Sequence, residues 1–129
     1  MKPRGMDYIE KASRKYGGAL SLHPPYEGPE DGRVPEELYS VLRVSDGVSE
    51  TMNAPGGGET EIAWIIYTHE MILRWSSFYN ENYGVCGAVF SDDGADCVYI
   101  LKYDGTVACF DCAYNEEFKT AESLSDFFL

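Results

Sequence analysis

Residues 96–103 are predicted to form a strand with side chains on both faces of a sheet: Cys97, Tyr99, Leu101 and Tyr103 on one face, and Val98, Ile100 and Lys102 on the other. Shorter extended runs lie before this segment, at 88–91, and after it, at 106–111. The connections carry turn residues: Asp-Asp-Gly-Ala at 92–95, and at 104–105 the Asp-Gly pair that is typical of a two-residue hairpin turn. The sequence therefore predicts a three-stranded antiparallel meander.

Helical spacing of apolar residues, together with terminal signals, predicts four helices. We expect them over residues 6–16, from Pro35 to the Asp46–Gly47 pair, over residues 68–78, and from Ser123 onward. The expected N-terminal signals are Asp7, Thr68 and Ser123 as caps and Pro35 as a first-turn residue. The expected ends of the first and third helices are Gly17–Gly18 and residues 80–84. The buried stripe of the second helix is expected to be Leu38, Val41 and Leu42.

The remaining segments divide into strands and loops. Residues 61–67 are apolar on both faces, which predicts a central strand. Residues 21–33 contain three prolines, and residues 48–60 are polar and glycine-rich, so both are expected to be loops. The glycines at 56–58 are not followed by the lysine that a phosphate-binding loop requires. Residues 116–118 are expected to form a short connection or an edge strand.

Charge is the most unusual property of the composition. The 129 residues contain 10 Lys and Arg against 22 Asp and Glu, a formal net charge of −12. Five of the basic residues lie in the first fifteen positions against two acids, so that segment is +3 and the remainder is −15. Such a body repels nucleic acid and anionic membranes, whereas a basic protein partner fits its field. An acidic surface also serves solubility alone, and that alternative stays open.

Cysteine and aspartate spacing argues against a metal or redox centre. The C-x-x-C at 109–112 falls at the end of a strand, whereas redox pairs open a helix. Cys86 and Cys97 do not supply the second closely spaced pair that zinc requires. The aspartates at 92, 93 and 96 lack the order of oxygen ligands of an EF-hand calcium loop. We therefore expect the thiols to pack in the core and the aspartates to form turns, with no metal and no cofactor.

No catalytic constellation stands out in the sequence. His23 and His69 are the two candidates for acid–base chemistry, but no nucleophile lies in a recognisable catalytic turn. The chain begins with charged residues instead of an apolar leader, and its longest apolar run, within 62–67, is too short to cross a bilayer. These features predict a cytoplasmic protein with reduced thiols and no catalytic residues.

Four stretches carry a resemblance to a known family. They are VPEELYSVLRVSDGV (34–48), THEMILRWSSFYNENYG (68–84), AVFSDDGADCVYILKYDGTVACFD (88–111) and TAESLSDFFL (120–129). In order and spacing they resemble the SUKH superfamily, which joins a yeast cell-wall synthesis regulator to many bacterial immunity proteins. Ala95 and Leu124 depart from the glycine and phenylalanine that many members have there, which leaves the subfamily open.

The resemblance implies a single α+β domain over residues 1–129, with an antiparallel or mixed curved sheet of about five or six strands and helices packed around it. It also implies a binding role without catalytic residues, most often neutralisation of a toxin. The cognate toxin, or another basic protein, is the expected partner. The expected partner-binding residues lie in acidic loops: Glu50, Glu59, Glu61, Asp92, Asp93 and Asp96. A regulatory scaffold that binds a cellular protein is the alternative, and a carboxylate-based hydrolase is the remote one.

Overall fold

The computed structural model describes residues 4–15, 20–53 and 55–128; for Arg4, Asn53 and Glu59 only the backbone is described. In these residues the helices are α1 (Arg4–Lys15), α2 (Glu36–Leu42), α3 (His69–Tyr83) and α4 (Leu124–Phe127). The strands are β1 (Leu20–Leu22), β2 (Val48–Asn53), β3 (Glu59–Ile66), β4 (Ala88–Asp92), β5 (Cys97–Leu101), β6 (Val107–Asp111) and β7 (Glu116–Ala121).

The strands form two antiparallel sheets, with the orders β1-β2-β3 and β4-β5-β6-β7. The α+β class and the antiparallel pairing agree with expectation, but the seven strands in two sheets differ from the single sheet of five or six strands. Bulges occur in both sheets. Ile62 and Ile65 of β3 have no partner in β2, and Phe90 of β4 has none in β5. Such extra residues interrupt the regular ladder and bend a strand.

The two sheets nevertheless adjoin along β3 and β4. The amide of Tyr67 donates to the carbonyl of Phe90 at 2.6 Å, and the hydroxyl of Ser91 donates to the carbonyl of Trp64 at 2.9 Å. Higher-numbered residues of one strand meet lower-numbered residues of the other, so β3 and β4 run antiparallel at the junction. The strand expected to be central, at 61–67, corresponds to β3. It is the outer strand of the first sheet and lies beside β4 of the second sheet.

Helices cover both faces of the second sheet. On one face, Phe110 of β6 contacts the rings of Tyr79 and Tyr83 in α3, at centroid distances of 5.8 and 5.1 Å. On the other face, Tyr99 of β5 lies 4.9 Å from Phe127 of α4. Phe110 and Phe127 are buried, and burial of large aromatic side chains is stabilising. Both faces of the strand predicted at 96–103 therefore pack against helices, one against α3 and the other against α4.

The helix predictions are largely confirmed. Leu38, Val41 and Leu42 of α2 are buried, and the side chains of Thr68 and Ser123 accept hydrogen bonds as N-caps of α3 and α4. Helix α3 continues five residues past the expected end, and Gly84, with φ of 69°, closes it within the expected interval.

Two other helix boundaries differ from expectation, and a third lies outside the described residues. Helix α1 begins at Arg4, so Asp7 lies in its first turn and is not the cap. Helix α2 ends at Leu42, four residues before Asp46. The expected end of the first helix, including Tyr16 and Gly17–Gly18, lies outside the described residues.

Several segments expected to be loops contain strands. Residues 48–60, expected to be a loop, form most of the β2–β3 hairpin. The first two residues of the loop expected at 21–33 belong to strand β1. Pairing with neighbouring strands overrides their polar composition.

The connection between β5 and β6 is a three-residue loop, because the amide of Gly105 donates to the carbonyl of Lys102 while the amide of Lys102 donates to the carbonyl of Thr106. Strand β7 confirms the expected edge strand.

Candidate functional site

Three acidic segments meet at one end of the two sheets. The middle of β3, in the second half of the β2–β3 hairpin, lies beside the β4–β5 turn, where a Cβ added to Gly94 would lie 2.5 Å from the carbonyl oxygen of Ile62. The β4–β5 turn adjoins the β6–β7 turn through the amide of Cys112, which donates to the carbonyl of Asp96 at 3.2 Å. We call residues 50–63, 92–96 and 111–116 together the acidic end.

The acidic end contains only one sign of charge. Its carboxylate residues are Glu50, Glu59, Glu61, Asp92, Asp93, Asp96, Asp111 and Glu116, and its sequence contains no lysine, arginine or histidine. All six residues expected to bind a partner belong to this group. The structure therefore brings together two sets of acids that lie more than thirty positions apart in the chain. Uncompensated carboxylates on neighbouring turns produce a negative potential that extends into solvent.

Asp92 is part of the scaffold of this surface. One carboxylate oxygen accepts from the amides of Trp64 at 3.0 Å and Gly94 at 3.1 Å, and the other accepts from the hydroxyl of Tyr67 at 2.8 Å. Burial, followed by the charge of Asp92, raises the pKa of Tyr67 above its usual value, so this hydroxyl stays a donor. Asp92 thus joins β3 to β4 and closes the turn that follows.

The other carboxylates are more available to a partner. Asp93 uses one oxygen to accept from the amides of Ala95 and Cys97 at 2.8 and 3.2 Å, which fixes the turn, yet its side chain is exposed. The side chains of Asp96 and Glu61 are also exposed. Glu61 lies in β3, and half-buried Glu50 lies in β2, so neither belongs to a loop as expected. Glu59 begins β3, but its side chain lies outside the described part of the chain.

Exposed apolar side chains accompany these charges. Met52, Ile62 and Tyr114 are 53%, 43% and 75% exposed, and each belongs to one of the acidic segments. Next to Tyr114, Asn115 has φ of 53°, the left-handed region that asparagine tolerates better than most residues. Protein-binding surfaces combine aromatic and methionine side chains with a polar rim. The sequence analysis did not identify these residues, because nothing in the local pattern shows that they stay uncovered.

The expectation that the thiols pack in the core is wrong for Cys86, which is exposed, whereas near this end Cys109 is buried and Cys97 and Cys112 are half-buried. Burial, with a hydrogen bond to Cys109, raises the pKa of Cys97 to about 12, and burial also raises the pKa of Cys109. The thiol of Cys112 donates to the carbonyl of Asp96 at 3.1 Å. A raised pKa suppresses the thiolate, which is the reactive and metal-binding form. Within the described residues, no group of three or more His, Cys, Asp or Glu side chains is arranged to hold a metal ion.

His69 lies away from the acidic end, in a buried aromatic cluster. Its ring stacks on Tyr26 at a centroid distance of 3.9 Å, and its Nε2 lies 2.8 Å from the hydroxyl of Tyr39. That hydroxyl also accepts from the amide of Asp31, so Tyr39 joins the imidazole to the loop before α2. Burial lowers the pKa of His69, against the opposing effect of Asp46 and Asp31. A neutral, enclosed imidazole of this kind holds the loop at 23–35 in place.

His23 has a similar structural role. Its ring stacks against Trp64 at 5.4 Å, its amide donates to the hydroxyl of Ser45 at 2.8 Å, and its Nε2 lies 3.4 Å from the hydroxyl of Ser49. Ser49 is fully buried, so a substrate has no access to this serine–histidine contact. Neither histidine is placed for acid–base chemistry on a bound molecule.

A groove of about 230 Å³ lies beside the C-terminal half of α3. Its polar lining is already engaged: Ser76 accepts from the amide of Val89, and Asn80 donates to the carbonyl of Val85. The guanidinium of Arg33 is paired with Asp31, and this hydrogen-bonded pairing holds the pKa of Asp31 well below its usual range. Groups occupied in this way are poorly suited to ligand recognition, so the acidic end is the better candidate.

No protein-family model, no curated protein and no solved structure matches this chain. Among the described residues, no helix combines the length and the apolar character needed to cross a membrane.

Proposed function

We propose that this chain is a non-catalytic protein-binding domain that neutralises a cognate bacterial toxin, such as a nuclease, through its acidic end. The observation that carries this proposal is the meeting of three acidic segments without a basic residue at one end of the sheets. The resemblance to the SUKH superfamily supports the same role. A nuclease binds a polyanion through lysine and arginine side chains, and an acidic surface is complementary to them.

The exposed carboxylates and apolar side chains have different tasks in this proposal. Asp93, Asp96 and Glu61 steer the basic partner and set the salt dependence of association. Tyr114 and Ile62 supply the apolar contact that slows dissociation of the complex. Charged residues at the rim of an interface affect the association rate more than the dissociation rate. Asp92 holds the surface in shape without touching the partner.

A capture experiment tests the proposal. The tagged chain is used to isolate partners from the source organism at about 0.05 M and about 0.5 M salt, where screening differs severalfold, and bound proteins are identified by mass spectrometry. We expect one basic protein that is released at high salt, that is toxic when expressed alone, and that is harmless when this chain is co-expressed. A housekeeping complex in its place, or no partner in cells that contain the toxin, contradicts the immunity role and favours a regulatory scaffold.

Charge reversal then locates the surface. We expect Asp96→Lys and Glu61→Lys each to slow association with the captured partner by roughly threefold to tenfold at low salt, with little effect at high salt. Glu81→Lys is the matched control, because Glu81 is exposed on α3 and the charge change is identical. Equal effects of all three substitutions would show that net charge matters and the acidic end does not.

A further inference from the structure

Strand β7 is an exposed outer edge of the second sheet. One side of β7 pairs with β6, and within the described residues no strand pairs with its other side. Residues 116–120 are all exposed, and Phe118 at the centre of the strand is 54% exposed. Alternate backbone amides and carbonyls of such an edge face outward and can pair with another strand.

The edge at β1 is protected in ways that β7 is not. Strand β1 has three residues, and Pro24 and Pro25 follow it closely, so it offers little backbone for pairing. Strand β7 has six residues and no proline. A bulge at Thr120 limits regular pairing to residues 116–119 of β7.

The charges of β7 are complementary to a reversed copy of the same strand. A twofold axis perpendicular to the sheet pairs residues whose numbers have a constant even sum. Centred on Phe118, the axis places Glu117 opposite Lys119 of the second copy, twice by symmetry, and Phe118 opposite Phe118. Centres one residue away place Glu117 opposite Glu117, or Lys119 opposite Lys119, and like charges directly opposite each other are unfavourable.

Ion pairs within the chain already hold Glu117 and Lys119. The ammonium of Lys102 holds the carboxylate of Glu117 at 3.1 Å, and Lys119 is paired with Glu122 at 2.5 Å. Both pairs are partly exposed, and each charged group has further hydrogen-bonding positions to share. Holding Glu117 in place reduces the side-chain entropy lost on association.

We infer that a second copy of this chain docks on β7, antiparallel and centred on Phe118, so that two four-stranded sheets become one continuous sheet. Each copy contributes the same patch, as in a closed twofold dimer. Because the two β7 strands run in opposite directions, the two acidic ends lie at opposite ends of the dimer. Pairing of this kind is independent of what the acidic end binds.

Sedimentation of charge-swapped variants tests the dimer over about 1 to 200 μM protein. We expect Lys119→Glu and Glu117→Lys each to raise the dissociation constant by roughly tenfold, because two attractive cross-strand pairs become repulsive. The double variant Glu117→Lys with Lys119→Glu restores opposite charges and should dimerise like the original chain. An equimolar mixture of the two single variants should form a heterodimer in which every pair is attractive.

Controls separate the interface from net charge. Glu81→Lys and Arg74→Glu make the same charge changes on exposed positions of α3 and should leave dimerisation unchanged. Circular dichroism checks that each variant is folded. A chain that is monomeric throughout the concentration range overturns the inference. The inference is also overturned if the single charge reversals leave the dissociation constant unchanged, or if the mixture of the two single variants stays monomeric.

Discussion

Replacing Asp92 by alanine removes the carboxylate that joins the two sheets. Three donors lose their acceptor: the amide of Trp64, the amide of Gly94 and the hydroxyl of Tyr67. Tyr67 is buried, so its hydroxyl gains little from water. At about 1 kcal/mol for each bond, we expect a loss of about 3 kcal/mol in the free energy of unfolding. That is a large share of the roughly 5 to 15 kcal/mol that stabilises a typical domain.

Urea unfolding followed by tryptophan fluorescence measures this loss, since Trp64 lies at the junction itself. Asp92→Asn is the informative companion, because its amide oxygen still accepts from the two backbone amides and its amino group can donate to the tyrosine oxygen. We expect it to cost about 1 kcal/mol. Asp96→Ala is the matched control on the same turn: its side chain is exposed, and we expect a change within about 0.5 kcal/mol.

The result that refutes this reasoning is an Asp92→Ala variant as stable as Asp96→Ala. Both aspartates would then be surface charges, and the β3–β4 junction would depend on apolar packing and on the hydrogen bonds Tyr67–Phe90 and Ser91–Trp64. If Asp92→Ala destabilises as expected but Asp92→Asn binds a partner normally, the carboxylate supports the surface without contacting the partner.

Three further outcomes follow from the packing of single residues. Because burial lowers the folded-state pKa of His69, its contribution to stability is complete above the unfolded pKa of about 6.5 and falls as the pH drops below it. Tyr39→Phe should cost about 1 to 2 kcal/mol at about pH 8, whereas His69→Phe should flatten that decline, as urea unfolding at about pH 8 and pH 5.5 will measure. Gly87→Ala should lower stability by more than about 2 kcal/mol in thermal unfolding, because φ is 119° and the new Cβ would lie 2.7 Å from a β5 side chain. A disulfide reagent at about pH 8 should label exposed Cys86 quickly and Cys97 only on unfolding, since the pKa of Cys97 is about 12.

Each of these outcomes has a control. Stability that is equally pH-dependent in the original chain and in His69→Phe assigns the titration to groups other than His69. Gly56→Ala should be milder than the substitution at Gly87, because nothing lies within 4 Å of the added Cβ and only backbone strain is introduced. Cys86→Ser should remove the fast labelling at that position, and fast labelling of Cys97 or Cys109 in the folded chain would contradict their raised pKa values.

Helix caps and strand alternation were predictable because they depend on neighbouring residues. Thr68 accepts from an amide three residues later, and Ser123 does the same. The hairpin at 48–60 was not predictable, because its polar and glycine-rich composition is typical of a loop. The hairpin is stabilised by pairing of β2 with β3 and with β1. These partners lie beyond the few neighbouring residues that a local sequence pattern reports.

The acidic end was predictable in composition but not in its division of roles. All six expected residues lie in two of its three segments, and the sequence alone treats their carboxylates alike. The structure separates Asp92, whose partners include residues 25 and 28 positions away, from Asp93 and Asp96, whose side chains are exposed. Met52, Ile62 and Tyr114 complete the surface only because no other described segment covers them.

The sequence by itself determined the net charge, the four helices, the meander and most of the helix signals, because propensity, capping and periodicity act over a few residues. Only the tertiary structure decided where one sheet ends and the next begins, which aspartate is structural, and which acidic turns meet. Those features depend on hydrogen bonds and packing between residues far apart in the chain. Their free energy appears only when the chain is folded and water is excluded from the groups that pair.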